Sequence, residues 1–157
     1  MPQVRVSSTT SADELVAFEV AARDLVGLAL RSVENLEVSL SQFRLLLVLH
    51  EQGSLSSTQC AQALGVVGSS VTRLADRLHA SGHLLRGTDP GNRSVVTLEL
   101  TDAGRRVVRQ VTNRRRRELR RVLDRLDPAE RASCAAVLAK LHGTLAGADE
   151  SHDRLPL

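Results

Sequence analysis

Over one stretch of this chain the hydrophobic pattern leaves helical spacing for strand spacing, and that excursion constrains the fold more than any other feature. From Leu84 to Gly87 and from Ser94 to Leu100 the apolar residues no longer recur at three and four; Val96, Leu98 and Leu100 alternate inward, and Asp89-Pro90-Gly91-Asn92 supplies a turn between the two runs. Helical spacing holds on both sides. A mainly α fold with one small β-hairpin follows, and 157 residues suffice for one head with helical extensions but not for two large independent domains.

Three capping boxes mark helix starts: Ser11-Ala12-Asp13-Glu14, Ser39-Leu40-Ser41-Gln42 and Ser56-Ser57-Thr58-Gln59. The first opens a helical face made of Leu15, Phe18, Ala22, Leu25, Ala29, Val33 and Leu36. The second starts a run from Phe43 to Leu49 that Gly53 stops, and the third a short helix carrying Cys60, Ala61 and Leu64 to Gly65. After Val66 comes a helix of about 12 residues ending at Gly82, with Val71, Leu74, Ala75 and Leu78 inward and Ser69, Arg73, Asp76 and Arg77 outward. Val67 is a poor N-cap, which predicts a shift of the cap to Gly68 or Ser69. Thr101-Asp102-Ala103-Gly104 opens a long helix to about Leu126, and Asp127-Pro128-Ala129-Glu130 caps a last one with proline at its first position.

Composition excludes several function classes. With 42% hydrophobic and 25% charged residues the chain is not disordered throughout. No apolar run approaches the ~20 residues a bilayer demands, and Met1-Pro2-Gln3-Val4-Arg5 lacks the apolar segment of a secretory signal, so a cytoplasmic protein away from membranes is expected. Cys60 and Cys134 form no disulfide framework. Cys60 sits at an apolar position with no cation near it in sequence and reads as a buried, inert thiol, and Cys134 as a packing residue of the last helix. His79 and His83 have metal spacing, but Gly82 interrupts the helix between them. No catalytic triad order, paired carboxylates or phosphate loop is present, so no enzyme, metal or cofactor is expected.

The net charge of +3 is unevenly spread. Residues 105–125 hold ten Arg against Glu118 and Asp124, for +8, and the remainder is −5. Residues 1–38 carry three basic and six acidic side chains and residues 126–157 three and five, so the acidic flanks are predicted to pack on the basic helix in a partly electrostatic assembly.

Three short helices and a hairpin between long helices is the order of a winged helix-turn-helix domain. Gln59-Cys60-Ala61-Gln62-Ala63-Leu64-Gly65-Val66, Ser69-Ser70-Val71-Thr72-Arg73-Leu74-Ala75-Asp76-Arg77-Leu78, Gly82, Arg86, Asp89-Pro90, Arg93 and Leu100-Thr101-x-x-Gly104 closely resemble the MarR family of bacterial transcription regulators, with looser similarity over residues 12–147. Residues 1–10, rich in Ser and Thr and without periodicity, read as a mobile arm and 148–157 as a tail. The resemblance implies a dimerisation helix at 11–38, a winged head at 39–101 and dimerisation helices at 102–147. It also implies a homodimer on a two-fold-related operator in double-stranded DNA, a repressor, and a small-molecule effector held between head and dimer helices. With no Trp or Tyr and only Phe18 and Phe43, such a pocket would be aliphatic.

The residue chemistry suits groove reading. Ser69, Ser70, Thr72, Arg73 and Arg77 combine short hydroxyls with long guanidinium groups. Arg93 lies at the hairpin turn, where a guanidinium enters a narrow minor groove, and Ser57 and Thr58 lie at a helix N-terminus that favours phosphate. Arg105, Arg106 and Arg109 can add phosphate contacts. The common wing signature Asp-Arg-Arg reads Asn92-Arg93-Ser94 here, which predicts a less fixed wing and weaker DNA affinity. It also leaves open a helical dimeric interaction module that has lost specific DNA binding.

Arg115 stands out on the long helix. At 100° per residue, with Val107 at 0°, it falls at about 80°, the centre of the arc formed by Val107, Val111, Val122, Val108, Leu119 and Leu123. Burial is predicted for it alone, with Arg114, Arg116 and Arg117 at the margin or in solvent. Two roles are open: an ion pair with Glu14 or Glu19, or a stem that snorkels out, on one side, and the anion anchor of an effector pocket on the other.

Overall fold

All three capping boxes open helices in the computed structural model, which describes residues 9–152, without the side chains of residues 146 and 148–152. Helix α1 spans Ala12–Val33, α2 Leu40–Gln52, α3 Ser57–Leu64, α4 Gly68–Ala80, α5 Asp102–Leu123 and α6 Pro128–His152; strands β1, β2 and β3 span Leu55–Ser56, Leu84–Thr88 and Val96–Leu100. In each box the serine hydroxyl accepts the third amide and the third side chain accepts the serine amide. Most of the predicted arm, residues 1–8, lies outside the described residues. Helix α6 runs to His152, five residues into the predicted tail, whose remainder is also outside them.

The sheet order is β1-β3-β2, all antiparallel, with Leu84 opposite Leu100 and Leu55 opposite Leu98. Strand β1 was not expected. Two residues are too few to show a period, and this pair forms a strand because the α2–α3 connection lies along the free edge of β3. The fully buried core gathers Phe43, Leu45 and Leu46 of α2, Val71 and Leu78 of α4, Leu84 and Leu98 of the sheet, and Val108 and Val111 of α5.

Four expectations need correction. Helix α1 stops at Val33, short of residue 38, because Asn35 takes a left-handed φ of 64° and turns the chain into α2, so Leu36 packs from the connection. Val96 is 47% exposed although Leu98 and Leu100 point inward, since the outer end of the hairpin projects beyond the core. The cap of α4 does not shift: Val67 holds that position with no side-chain hydrogen bond. Helix α5 ends at Leu123, three residues early, in a turn closed by Asp124, Arg125 and Leu126 amides.

The N-terminal two-thirds of α1 and α6 as far as residue 145 are largely uncovered. Leu15, Phe18, Leu25, Val137, Leu138 and Leu145 are all exposed, and α1 and α6 face each other across an apolar cavity of about 410 Å³ lined by Phe18, Ala22, Leu25, Cys134, Val137 and Leu141. No helix among the described residues is long and apolar enough to cross a membrane.

Candidate nucleic-acid interface

Helix α4 buries Val71, Ala75 and Leu78, half-buries Leu74, and turns Ser69, Thr72, Arg73, Asp76 and Arg77 to solvent. Ser70 is half-buried at the edge of that face. The Thr72 hydroxyl donates to the Gly68 carbonyl at 3.2 Å, which orients its methyl and leaves its oxygen able to accept. Ser57 and Thr58 occupy the first turn of α3, behind the Ser56 cap, where backbone amides have no helical partner.

The hairpin is joined to this helix at two levels. Asp76 of α4 pairs with Arg86 of β2 in a short hydrogen-bonded ion pair. Nearer the base, the His79 Nδ1 lies 3.1 Å from the Leu84 carbonyl oxygen. Both residues of the first pair were visible in sequence, but their pairing was not, because it depends on how β2 crosses the end of α4.

The wing tip compensates for its altered signature. The Asp89 carboxylate accepts the Gly91 and Asn92 amides at 2.7 and 3.0 Å, and the Asn92 side chain accepts the Ser94 amide at 3.1 Å. Asn92 thus fixes the backbone of the tip instead of an arginine side chain. Arg93 itself is exposed, and its side chain has no hydrogen-bond or ion-pair partner among the described residues, in line with the missing carboxylate. Of the basic residues at the start of α5, Arg105 pairs with Asp102 at 3.3 Å, whereas Arg106 and Arg109 are exposed.

Arg115 lies elsewhere, at the junction of α1, α2 and α5. Its Nε donates to the buried Ser32 hydroxyl at 2.7 Å, and its guanidinium carbon stands 4.5 Å from the centre of the Phe43 ring. Glu14 reaches back to the Ser11 amide, so neither it nor Glu19 meets Arg115 within the chain; both lie several helical turns from Ser32. Arg115 is partly buried, burial holds its guanidinium below the usual arginine range, and its Nη2 has no acceptor among the described residues. Arg114 is not simply solvated either: it donates to the Glu34 carbonyl and joins Arg31 around Glu118. Ser32 escaped the sequence reading because its contact with Arg115 spans 83 residues; Glu118 meets Arg114 one helical turn away, and only its second partner, Arg31, is distant.

Cys60 is fully buried, and burial pushes its thiol up from 9.0 to about 11. The folded chain holds this proton more tightly than the unfolded one, so the associated stability is complete below pH 9 and declines as pH climbs toward 11. Iodoacetamide at pH 8 should leave Cys60 unmodified in the native protein and label it in denaturant; rapid native labelling would contradict this burial. His79 and His83 flank the Gly82 break, and the His83 Nδ1 lies 2.8 Å from the Ser81 hydroxyl.

Comparison with known proteins agrees with this geometry. The model of the MarR family matches residues 38–96. MdtR, an HTH-type transcriptional repressor of Bacillus subtilis (strain 168), is 33% identical over 112 residues, which cover 71% of this chain and 72% of that protein. The crystal structure of RV1404 from Mycobacterium tuberculosis superposes with a TM-score of 0.74 at 33% identity, over 88% of this chain and 97% of the other. A MarR family protein from Bacillus stearothermophilus gives a TM-score of 0.77 at 25% identity, over 88% and 99%. A polar outer face on α4, a hairpin tied to it by Asp76 and Arg86, and these likenesses in sequence and fold together show that the chain belongs to the MarR family of winged helix-turn-helix, DNA-binding transcriptional regulators.

Proposed function

We propose that the protein is a cytoplasmic homodimeric repressor of a two-fold-related operator in double-stranded DNA, released by a small-molecule effector. Each head lays α4 in the major groove and its wing tip in the adjacent minor groove. Ser69, Ser70, Thr72, Arg73 and Arg77 meet bases and phosphates of the major groove, Ser57 and Thr58 meet the backbone, and Arg93 enters the minor groove. The ion pair of Asp76 with Arg86 is the observation that carries this reading, because it couples helix and hairpin so that two grooves can be engaged by one rigid surface. Mobility-shift titration with the DNA immediately upstream of the protein's own gene is the direct test. Binding between nanomolar and micromolar, falling steeply with salt, is expected. A dimer that ignores this DNA and all other duplexes at low salt would instead be a helical interaction module.

The uncovered apolar faces of α1 and α6 support the homodimer, since soluble monomers seldom expose so continuous a patch. Exposed Asp13, Glu19 and Asp24 on α1 and the arginines of α5 suit an interface with an electrostatic component. Sedimentation from low to molar salt should show the dimer weakening; a flat dissociation constant would assign the assembly to apolar burial alone.

Arg115 supports the effector. Its Nη2 is buried and without an acceptor, so a small anion or an acid of the second copy would reach it only if the junction of α1, α2 and α5 opens. Arg115→Met should change the stability of the head by no more than about 1 kcal/mol, because relief of a partly desolvated charge offsets the loss of the Ser32 hydrogen bond and the Phe43 contact. A dimer that still binds DNA but no longer responds to its effector then identifies the anion anchor, whereas a weakened dimer identifies the interface ion pair.

A further inference from the structure

Beside the exposed face of α4 lies a cleft of about 340 Å³ between that helix and the start of α2. Arg44, Arg73 and Arg77 line it with the hydroxyl-bearing Ser41 and Ser70, and Leu64 and Leu74 contribute its apolar wall. No carboxylate lines it, and among the described residues none of the three arginines is in an ion pair. Arg31, Arg86, Arg105, Arg114 and Arg131 have an acid within reach, so what marks this cleft is three unpaired arginines converging on one concave site.

Arg44 was overlooked in the sequence because it is a single cation inside the apolar run of α2. Its Nη2 donates to the Leu64 carbonyl at 3.1 Å, capping the C-terminal end of α3. That bond sets the plane of the guanidinium. Nε and Nη1 make no other hydrogen bond among the described residues, and Arg44 as a whole is exposed. A planar cation held from behind, Arg77 and two hydroxyls around an acid-free cleft form a receptor for a tetrahedral anion, which leaves Arg73 for base edges.

We propose that this cleft seats one backbone phosphate of the DNA that α4 reads, with Arg44 as a positioning residue that fixes how deeply and in what register α4 enters the groove. The proposal rests on the reading of α4 as the groove-binding helix and adds a contact that carries no sequence information. It predicts a distinct signature: a phosphate contact acts on every duplex alike and contributes about one unit to the salt slope, whereas a base contact acts on the operator alone.

The test is fluorescence anisotropy over a salt series with the full-length protein and two probes, the duplex upstream of its own gene and a 30-base-pair duplex of unrelated sequence. Arg44→Ala should weaken both by roughly tenfold and lower the slope of log K against log salt by about 1. Arg44→Lys keeps the charge and loses the planar fork, so it should retain the wild-type slope with smaller loss of affinity on both probes. If Arg44 merely caps α3, Arg44→Ala lowers the melting temperature and leaves affinity and slope unchanged, which overturns the proposal. A loss confined to the upstream duplex also overturns it, by making Arg44 a base reader. Should Arg44→Ala fail to fold, Arg44→Gln removes the charge in a side chain of similar length: a slope lowered by about 1 on both probes supports the phosphate seat, and a wild-type slope overturns it. Wild-type protein without salt-dependent binding to either probe would remove the reading of α4 itself, a failure distinct from wild-type binding that Arg44 does not affect.

Discussion

Gly104→Ala should cost the fold about 2–3 kcal/mol despite lying in the first turn of a helix, where alanine is intrinsically favoured by up to ~1 kcal/mol. A methyl group on Gly104 would overlap the His83 carbonyl oxygen and press on Leu100, because α5 begins hard against the start of β2. The obstacle is backbone that also accepts the Thr101 amide at 3.2 Å, so it cannot swing aside as a side chain would. Gly68 provides the control: a methyl there meets nothing within 4 Å, and Gly68→Ala should change stability by less than about 0.5 kcal/mol. Urea unfolding of the two variants measures both; equal stability would mean that α5 can slide off β2 at little cost.

Arg73→Ala should weaken operator binding by about 1–3 kcal/mol, and Arg93→Ala by a similar amount for a different reason. Arg73 stands on the exposed face of α4, so its loss should fall on the core of each half-site, where changing the contacted base should no longer matter. Arg93 stands on the wing tip, whose backbone Asp89 and Asn92 hold, and its loss should track the A·T content of the flanks. Titrations against duplexes with altered cores and altered flanks separate the two. Unchanged affinity in a folded Arg93→Ala dimer would remove the wing from the mechanism.

Local rules made much of the fold legible. Serine caps, Gly53, Gly65 and Gly82 stops and the strand-period hairpin are each written within a few residues, and each was found where the chain specifies it. What could not be read depended on distant contacts. β1 exists only because β3 offers an edge, and α1 ends at Val33 because the chain turns at Asn35 to fold back onto the head. Arg115 illustrates both cases: its inward direction followed from helix geometry alone, while its partner, Ser32, is a small hydroxyl 83 residues away with no charge to announce it. Arg44 is the converse, a residue whose importance arises from three helices meeting at one cleft. The residues proposed to touch DNA were chosen by chemistry and position on a helix, and the structure adds how α4 and the hairpin are held together, through Asp76 and Arg86.

Thr101 makes the base of the head mechanically stiff. Its hydroxyl donates to the Gly82 carbonyl at 2.8 Å and accepts the Gly104 amide at 3.1 Å, so one side chain pins the end of α4, the root of the wing and the first turn of α5 together. Helix α5 then acts as a lever arm of about 33 Å, clamped at the head and loaded at its far end by the helices around it. A swing of about 5° in such an arm corresponds to a slide of about 3 Å at the far end. In the proposed homodimer, small adjustments among the long helices would therefore be geared into rotation of the reading head, and the distance between the two heads would be set where the levers meet.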